Sequence, residues 1–214
     1  MKKSKLFQFK YLLFDIIRIG ALPGLLWFRP KRIYLNKENK KHIRGGALIV
    51  ANHITIFDPM YIMIGLWYRR HHFIAMQDFF NTKGKRFLFT KVFSCIPIDR
   101  DNVSIGSIKS IVNHLKSGEV VSMFPEGHVN SDKEGMKNFK SGMVMMSMMS
   151  GAPIIPIYLK RRKHFYSRVV IGIGEPIKVN GMLSLPEMDE VTKRIEEQEH
   201  LLENLCERKV NKND

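Results

Sequence analysis

Six short and almost uninterrupted apolar runs constrain this chain more than any other feature. They are Ala47–Ala51 (ALIVA), His72–Met76, Phe93–Ile98, Glu119–Phe124 (EVVSMF), Ile154–Leu159 (IIPIYL) and Arg168–Ile173. Each is five or six residues long, the length of a strand and half that of a typical helix. Apolar residues at successive positions place side chains on both faces of a pleat, so such a strand must be covered on both sides. Helical patterns over 59–70, 82–90, 103–117 and 139–150 separate the runs. Strands of this kind alternating with helices predict an α/β fold, a mostly parallel central sheet flanked by helices. A last helix opens at Ser184-Leu185-Pro186, and its stripe of Met188, Val191, Ile195, Leu202 and Leu205 is expected to dock on the body. With no internal repeat and no long linker, residues 31–214 are expected to form one catalytic domain, preceded by a separate segment over 1–30.

The chain has 214 residues, 44% of them hydrophobic and 14 of them Phe. That excludes a disordered basic tail. Two Cys exclude a disulfide scaffold and a multi-cysteine zinc site. The net charge is +15, unevenly divided: residues 187–214 carry nine acids and five bases, or −4, which leaves +19 on the remainder. An excess of this sign implies an anionic partner, whether nucleic acid, anionic lipid or a phosphorylated substrate. The longest basic run is only Lys160-Arg161-Arg162-Lys163, which is unlike a nucleic-acid-binding arm.

At the N-terminus a basic start, Met1 to Lys5, precedes a largely apolar stretch from Tyr11 to Phe28. No small-residue cleavage site follows it, as a signal peptide would require. Asp15, Arg18, Gly20, Pro23 and Gly24 interrupt it, which argues against a membrane span. Apolar bulk with basic flanks and Trp27 near its end fits an interfacial helical segment over residues 1–30. The alternative is a helix packed on the protein's own core.

Chemistry-bearing residues gather just after the apolar runs. Asn52-His53-Ile54-Thr55-Ile56-Phe57-Asp58-Pro59 follows ALIVA directly, so His53 is expected at the carboxyl end of a strand, where α/β sheets place ligands. Asp58 before Pro59 reads as the N-cap of a helix with Pro at its first position. A loop that leaves a strand and turns into a helix can bring Asp58 back to His53. The carboxylate then fixes the tautomer of the ring, and the other nitrogen can take a proton from a hydroxyl. Phe124-Pro125-Glu126-Gly127 stands at the end of a second strand, Ile96-Pro97-Ile98-Asp99-Arg100 at the end of a third, and Ala152-Pro153 opens a fourth. Arg100 suits a phosphate clamp, or a surface pairing with Asp99 or Asp101. Neither Cys95 nor Cys206 has a base partner in sequence, and no GxSxG motif is present. His71-His72 and His114 have no ligand partners at useful spacing, so no metal is expected.

The order NHxxxxD, IDR, FPEG and a proline-flanked strand resembles the glycerolipid acyltransferase superfamily over residues 45–160, with the best likeness to the 1-acyl-glycerol-3-phosphate acyltransferases. Asn52, His53, Thr55 and Asp58 match the first block, and Phe139-Lys140-Ser141-Gly142 resembles the Phe-Lys-x-Gly that follows FPEG. The resemblance implies acyl transfer without an acyl-enzyme. His53 is the general base and Asp58 orients it, while Asn52, Thr55, Arg100, Glu126, Gly127 and Lys140 contribute to substrate binding. The implied substrates are an acyl thioester, of coenzyme A or acyl carrier protein, and a lysophosphatidic acid, whose acylation gives phosphatidic acid. No cofactor is needed, because a thiolate leaves readily. An anionic membrane surface is the expected partner rather than nucleic acid, and the expected location is the cytoplasmic face of the cell membrane. Two positions depart from the family. Val129 stands where an Arg often follows FPEG, and Ser94 where a Gly commonly opens the second block. Val129 keeps another lysophospholipid or lyso-aminolipid open as acceptor. A non-catalytic basic binder of membrane or nucleic acid is the alternative of another class.

Overall fold

The computed structural model describes residues 12–20, 23–36, 43–99, 104–125, 137–162 and 167–211. Among the described residues seven strands form one sheet: β1 (Lys31–Tyr34), β2 (Ala47–Ala51), β3 (His71–Met76), β4 (Ile96–Ile98), β5 (Val120–Met123), β6 (Ile154–Leu159) and β7 (Val170–Ile173). Their order across the sheet is β1-β7-β6-β2-β5-β3-β4. Among the described strands only β6 and β7 pair antiparallel, so the mostly parallel sheet is as expected. All five residues of β2 are buried, because β2 lies at the centre with cover on both faces. Leu48 and Val50 point to α5 (Ile105–Lys116), α6 (Lys137–Ser150) and α7 (Leu185–Asn211), packing with Ile111, Leu115, Met143, Val144 and Ile195. Ala47, Ile49 and Ala51 face the other way, toward Ile62 and Leu66 of the α3 (Asp58–Gly65) region. The stripe of α7 docks as expected. Ile195 and Leu202 are fully buried with Cys206, and Cys206 packs against Ile33 and Val170 on β1 and β7.

Several elements differ from expectation for identifiable reasons. β1 is polar in sequence, KRIY, because among the described strands it is an edge strand paired with β7 alone. α3 stops at Gly65 rather than running to residue 70. There a β-carbon would come within 2.0 Å of Ile171 Cδ1, so the missing side chain lets the helix seat on β7. Beyond it, Arg69 turns inward and donates to the carbonyls of Ile43, Gly45 and Gly118. The helix expected over 82–90 is α4 (Lys83–Phe87) continued by a wide π-type turn, Leu88–Val92. That turn places Phe89 among Phe79, Phe80 and Phe93, at ring separations of 5.0, 5.8 and 5.9 Å. β4 begins only at Ile96 because Ser94 takes a left-handed backbone, φ 53°, which interrupts extension.

The chain before β1 forms α1 (Leu12–Gly20) and α2 (Pro23–Phe28). No helix among the described residues is long and apolar enough to cross a membrane. Asp15, an interruption in the apolar pattern, is buried and paired with buried Arg70. Ile16, Ile19, Leu26 and Trp27 are exposed.

Candidate active site

The β2–α3 loop begins in the middle of the sheet. From β2 the chain crosses toward β3, whereas from β5, the adjacent strand, it crosses back to β6. The direction of winding reverses between β2 and β5, and the crevice outside their carboxyl ends is where such sheets bind ligands. His53 follows β2 and Phe124 follows β5. The two rings stack, with centroids 4.3 Å apart and planes 20° apart, and Phe73 lies parallel to Phe124 at 6.3 Å.

Asp58 returns to His53, as a strand-to-helix loop of this length allows. His53 Nδ1 lies 2.8 Å from Asp58 Oδ2, and the carboxylate is buried. The same oxygen accepts from the backbone N–H groups of Ile54 and Thr55, and Oδ1 accepts from Thr55 Oγ1 at 3.0 Å. An ionised carboxylate accepts and cannot donate, so Nδ1 carries the proton and Nε2 keeps a lone pair. The imidazole is partly exposed, its side chain at 17%. Asp58 is not the N-cap, however. It stands inside the first turn of α3, Phe57 precedes it as the cap, and its side chain binds the loop rather than the helix. The helix N-terminus still favours a negative charge there.

Asn52 and Thr55 have structural partners. Asn52 Nδ2 donates to the Leu159 carbonyl at 3.0 Å and Oδ1 accepts from the Leu159 N–H at 2.7 Å. The amide thus substitutes for a strand residue and ties the end of β2 to the end of β6. Thr55 Oγ1 donates to Asp58 and accepts from the Phe57 N–H. Both groups hold the loop that holds His53. Arg100, Glu126, Gly127 and the departing Val129 lie outside the described residues. Lys140 lies on α6, and its side chain lies outside them too. The last described residues before two of these positions, Asp99 after β4 and Pro125 after β5, stand at carboxyl ends of strands.

Sequence reasoning missed two contributors. Leu159 anchors Asn52 through its backbone, which leaves no trace in residue type. Phe124 stacks on His53, and its place beside Pro125 was the available signal. Cys95 is buried and its thiol is pushed up to about 12 by burial, while Cys206 is also buried. Neither is a nucleophile near His53 in the geometry described.

At the opposite end of the sheet the fold assembles what spacing did not. Glu119 immediately precedes β5, His72 lies on β3 beside it, and His114 closes α5. His114 Nδ1 is 2.6 Å and His72 Nε2 3.4 Å from Glu119 Oε2. Burial opposes the charge on Glu119, but hydrogen bonds from His114 and His72 outweigh it and hold the carboxyl well below its usual range. Burial pulls His72 below the ordinary histidine value.

Comparison with known proteins agrees with this layout. The family model described as Acyltransferase matches residues 32–160. A 1-acyl-sn-glycerol-3-phosphate acyltransferase of Bacillus subtilis (strain 168) is 28% identical over 200 residues, covering 87% of this chain and 97% of that protein. A protein of the same name from Streptococcus pneumoniae is 27% identical over 168 residues, covering 75% of this chain and 61% of its own length. The crystal structure of the 1-acyl-sn-glycerophosphate (LPA) acyltransferase PlsC from Thermotoga maritima superposes with a TM-score of 0.62 at 21% identity, covering 90% of this chain and 79% of that one; it shows the common fold. Since the family model spans more than half of the sequence and includes the His53–Asp58 loop, the chain belongs to the acyltransferase family.

Proposed function

We propose that this enzyme moves a fatty acyl group from an acyl thioester to the sn-2 hydroxyl of a 1-acyl-glycerol-3-phosphate, giving phosphatidic acid. The observation that carries this reading is the buried Asp58 carboxylate holding His53 through Nδ1 at 2.8 Å. Nε2 is then the base. It takes the acceptor's hydroxyl proton as the oxygen attacks the thioester carbonyl, and Asp58 stabilises the imidazolium that forms. The tetrahedral intermediate collapses with loss of the thiolate, which is protonated from His53. The thiolate is a good leaving group, so the reaction proceeds without a cofactor. Coenzyme A and acyl carrier protein, both anionic, suit a chain of net charge +15 as donors.

The same reading assigns the acceptor's phosphate to Arg100 and its glycerol-phosphate part to Glu126 and Gly127, on the family resemblance of their motifs, with Lys140 a further cation for the phosphate where Val129 replaces an Arg. It seats the protein peripherally on the cytoplasmic face of the cell membrane. Ile56 and Phe57, between the base and its carboxylate, are 74% and 52% exposed. An apolar loop tip beside the catalytic histidine suits an acceptor that stays in a bilayer.

The test is thiol release by purified protein from an acyl thioester. Lysophosphatidic acid in vesicles should support it, and His53→Ala should lower the rate on the order of 10²- to 10⁴-fold. Undiminished release by His53→Ala would overturn the mechanism. A panel including a lyso-aminolipid and a choline lysolipid, at matched concentration, checks the acceptor. Faster release with either than with lysophosphatidic acid would reassign the head group.

A further inference from the structure

Beyond acyl transfer, we infer that His72, His114 and Glu119 form a site for one divalent transition-metal ion, with zinc the best match. One ligand atom from each of the three lies within 4.8 Å of the other two, and His72 Nε2 and His114 Nδ1 are the nitrogens that face Glu119 Oε2. Two imidazoles and a carboxylate are a zinc donor set, and water completes the tetrahedron. His72 and Glu119 are buried, and His114 is partly exposed, which opens a path for the ion and its water.

The surroundings of His72 are those of a metal ligand. Its Nδ1 lies 2.8 Å from Ser94 Oγ and 3.3 Å from the Ser94 carbonyl. A carbonyl only accepts, so the tautomer with Nδ1–H donated to Ser94 is the one that gives Nε2, 3.4 Å from Glu119 Oε2, to an ion. A ligating histidine fixed through its second nitrogen by a carbonyl is the usual outer-shell arrangement. Ser94 reaches His72 with both groups from a left-handed backbone, φ 53°, a conformation sparsely occupied by residues with side chains and retained where the surroundings impose it. The rings of His72 and His114 lie 4.2 Å apart, so a small opening of the His114–Glu119 hydrogen bond admits the ion. The ion replaces the proton shared by that pair, which passes to solvent, and bonds form from the three donor atoms to the metal.

The three residues belong to α5, the start of β5 and the start of β3, and Ser94 belongs to the turn before β4. His53 and Phe124 follow the other ends of β2 and β5. The ion therefore clamps the sheet from the end remote from the acyl-transfer chemistry and takes no part in it.

Isothermal titration of the full, metal-stripped chain with zinc tests the site. One equivalent should bind with release of protons, and cobalt(II) should give the strong visible bands of a tetrahedral site. His114→Ala and Glu119→Gln should remove both signals. Ser94→Ala should weaken binding about 10-fold. His200→Ala, which alters an exposed helical pair with Glu203, should leave binding intact. Circular dichroism of each variant separates loss of a ligand from loss of the fold, and His114, at the rim, is the least disruptive to change. Absence of saturable binding overturns the proposal, as does zinc binding that survives His114→Ala and Glu119→Gln in folded protein. Acyl transfer by the His114→Ala protein is expected to be unchanged.

Discussion

Asp58 illustrates how one buried carboxylate can serve structure and chemistry together. It accepts from two backbone N–H groups, a threonine hydroxyl and His53, so its removal costs the loop as well as the base. The spacing of His53 and Asp58 allowed their pairing, and the order of the motifs together made it the expectation. The work of Asn52 was not legible, since its partner is a backbone 107 residues away. Asn52→Ala strips both hydrogen bonds from Leu159, so a loss of about 1–3 kcal/mol is expected in denaturant unfolding, with a fall in kcat larger than any change in KM. An equal effect on KM alone would place Asn52 on the substrate instead. The cysteines give a second prediction. With Cys95 buried and pushed up to about 12 and Cys206 fully buried, the native protein should show no fast-reacting thiol with a disulfide reagent at pH 8, and both should react on unfolding. Thiol appearing in the acyl-transfer assay then comes from the donor.

Elements meet most tightly where a side chain is missing. Gly46 leads into β2 under the last turn of α5, and a β-carbon there would stand 2.0 Å from the Leu115 carbonyl oxygen. The obstacle is backbone, so it cannot rotate away. Gly46→Ala should therefore push α5 from the central strand and destabilise by about 1–3 kcal/mol, read as a lowered midpoint in urea with an unchanged slope. Gly106→Ala is the comparison. The nearest atom to its β-carbon is Ser104 Oγ at 3.7 Å, an ordinary contact, and in a helix the change should be neutral or stabilising. The element boundaries that sequence misplaced are likewise set by packing partners. α3 ends where Gly65 meets Ile171, and the helix over 82–90 widens where Phe89 enters an aromatic cluster. The first depends on a neighbour distant in sequence, the second on rings four to ten residues away that only the folded turn brings together.

At the scale of the molecule, charge and apolar exposure act together. The body carries the basic excess, the acidic α7 packs on one face of the sheet, and Ile56 and Phe57 project beside His53. Binding to vesicles rich in anionic lipid should weaken as salt rises, since exposed charges are screened within about 8 Å at physiological ionic strength. Ile56→Asp with Phe57→Ser should reduce vesicle sedimentation and activity on vesicle-borne acceptor several-fold, with little change in thermal stability, because both side chains are exposed. Unaltered sedimentation would assign the membrane contact elsewhere, with Leu26 and Trp27 of α2 the next to change.

What the sequence by itself determined is the part governed by local pattern. Continuous apolar runs demand strands covered on both faces, and a histidine five residues before an aspartate at a strand-to-helix loop permits a short return. The buried β2, the parallel sheet, the docked α7 and the His53–Asp58 pair all follow from such patterns. Tertiary structure alone decided the strand order that sets β5 beside β2, and with it the stacking of Phe124 on His53. It also turned Asn52 onto Leu159, set Asp15 against Arg70, and brought His72, His114 and Glu119 together at the far end of the sheet. These depend on packing between segments tens of residues apart, where the energy lies in fitted surfaces and paired buried groups rather than in the propensity of any one stretch of chain.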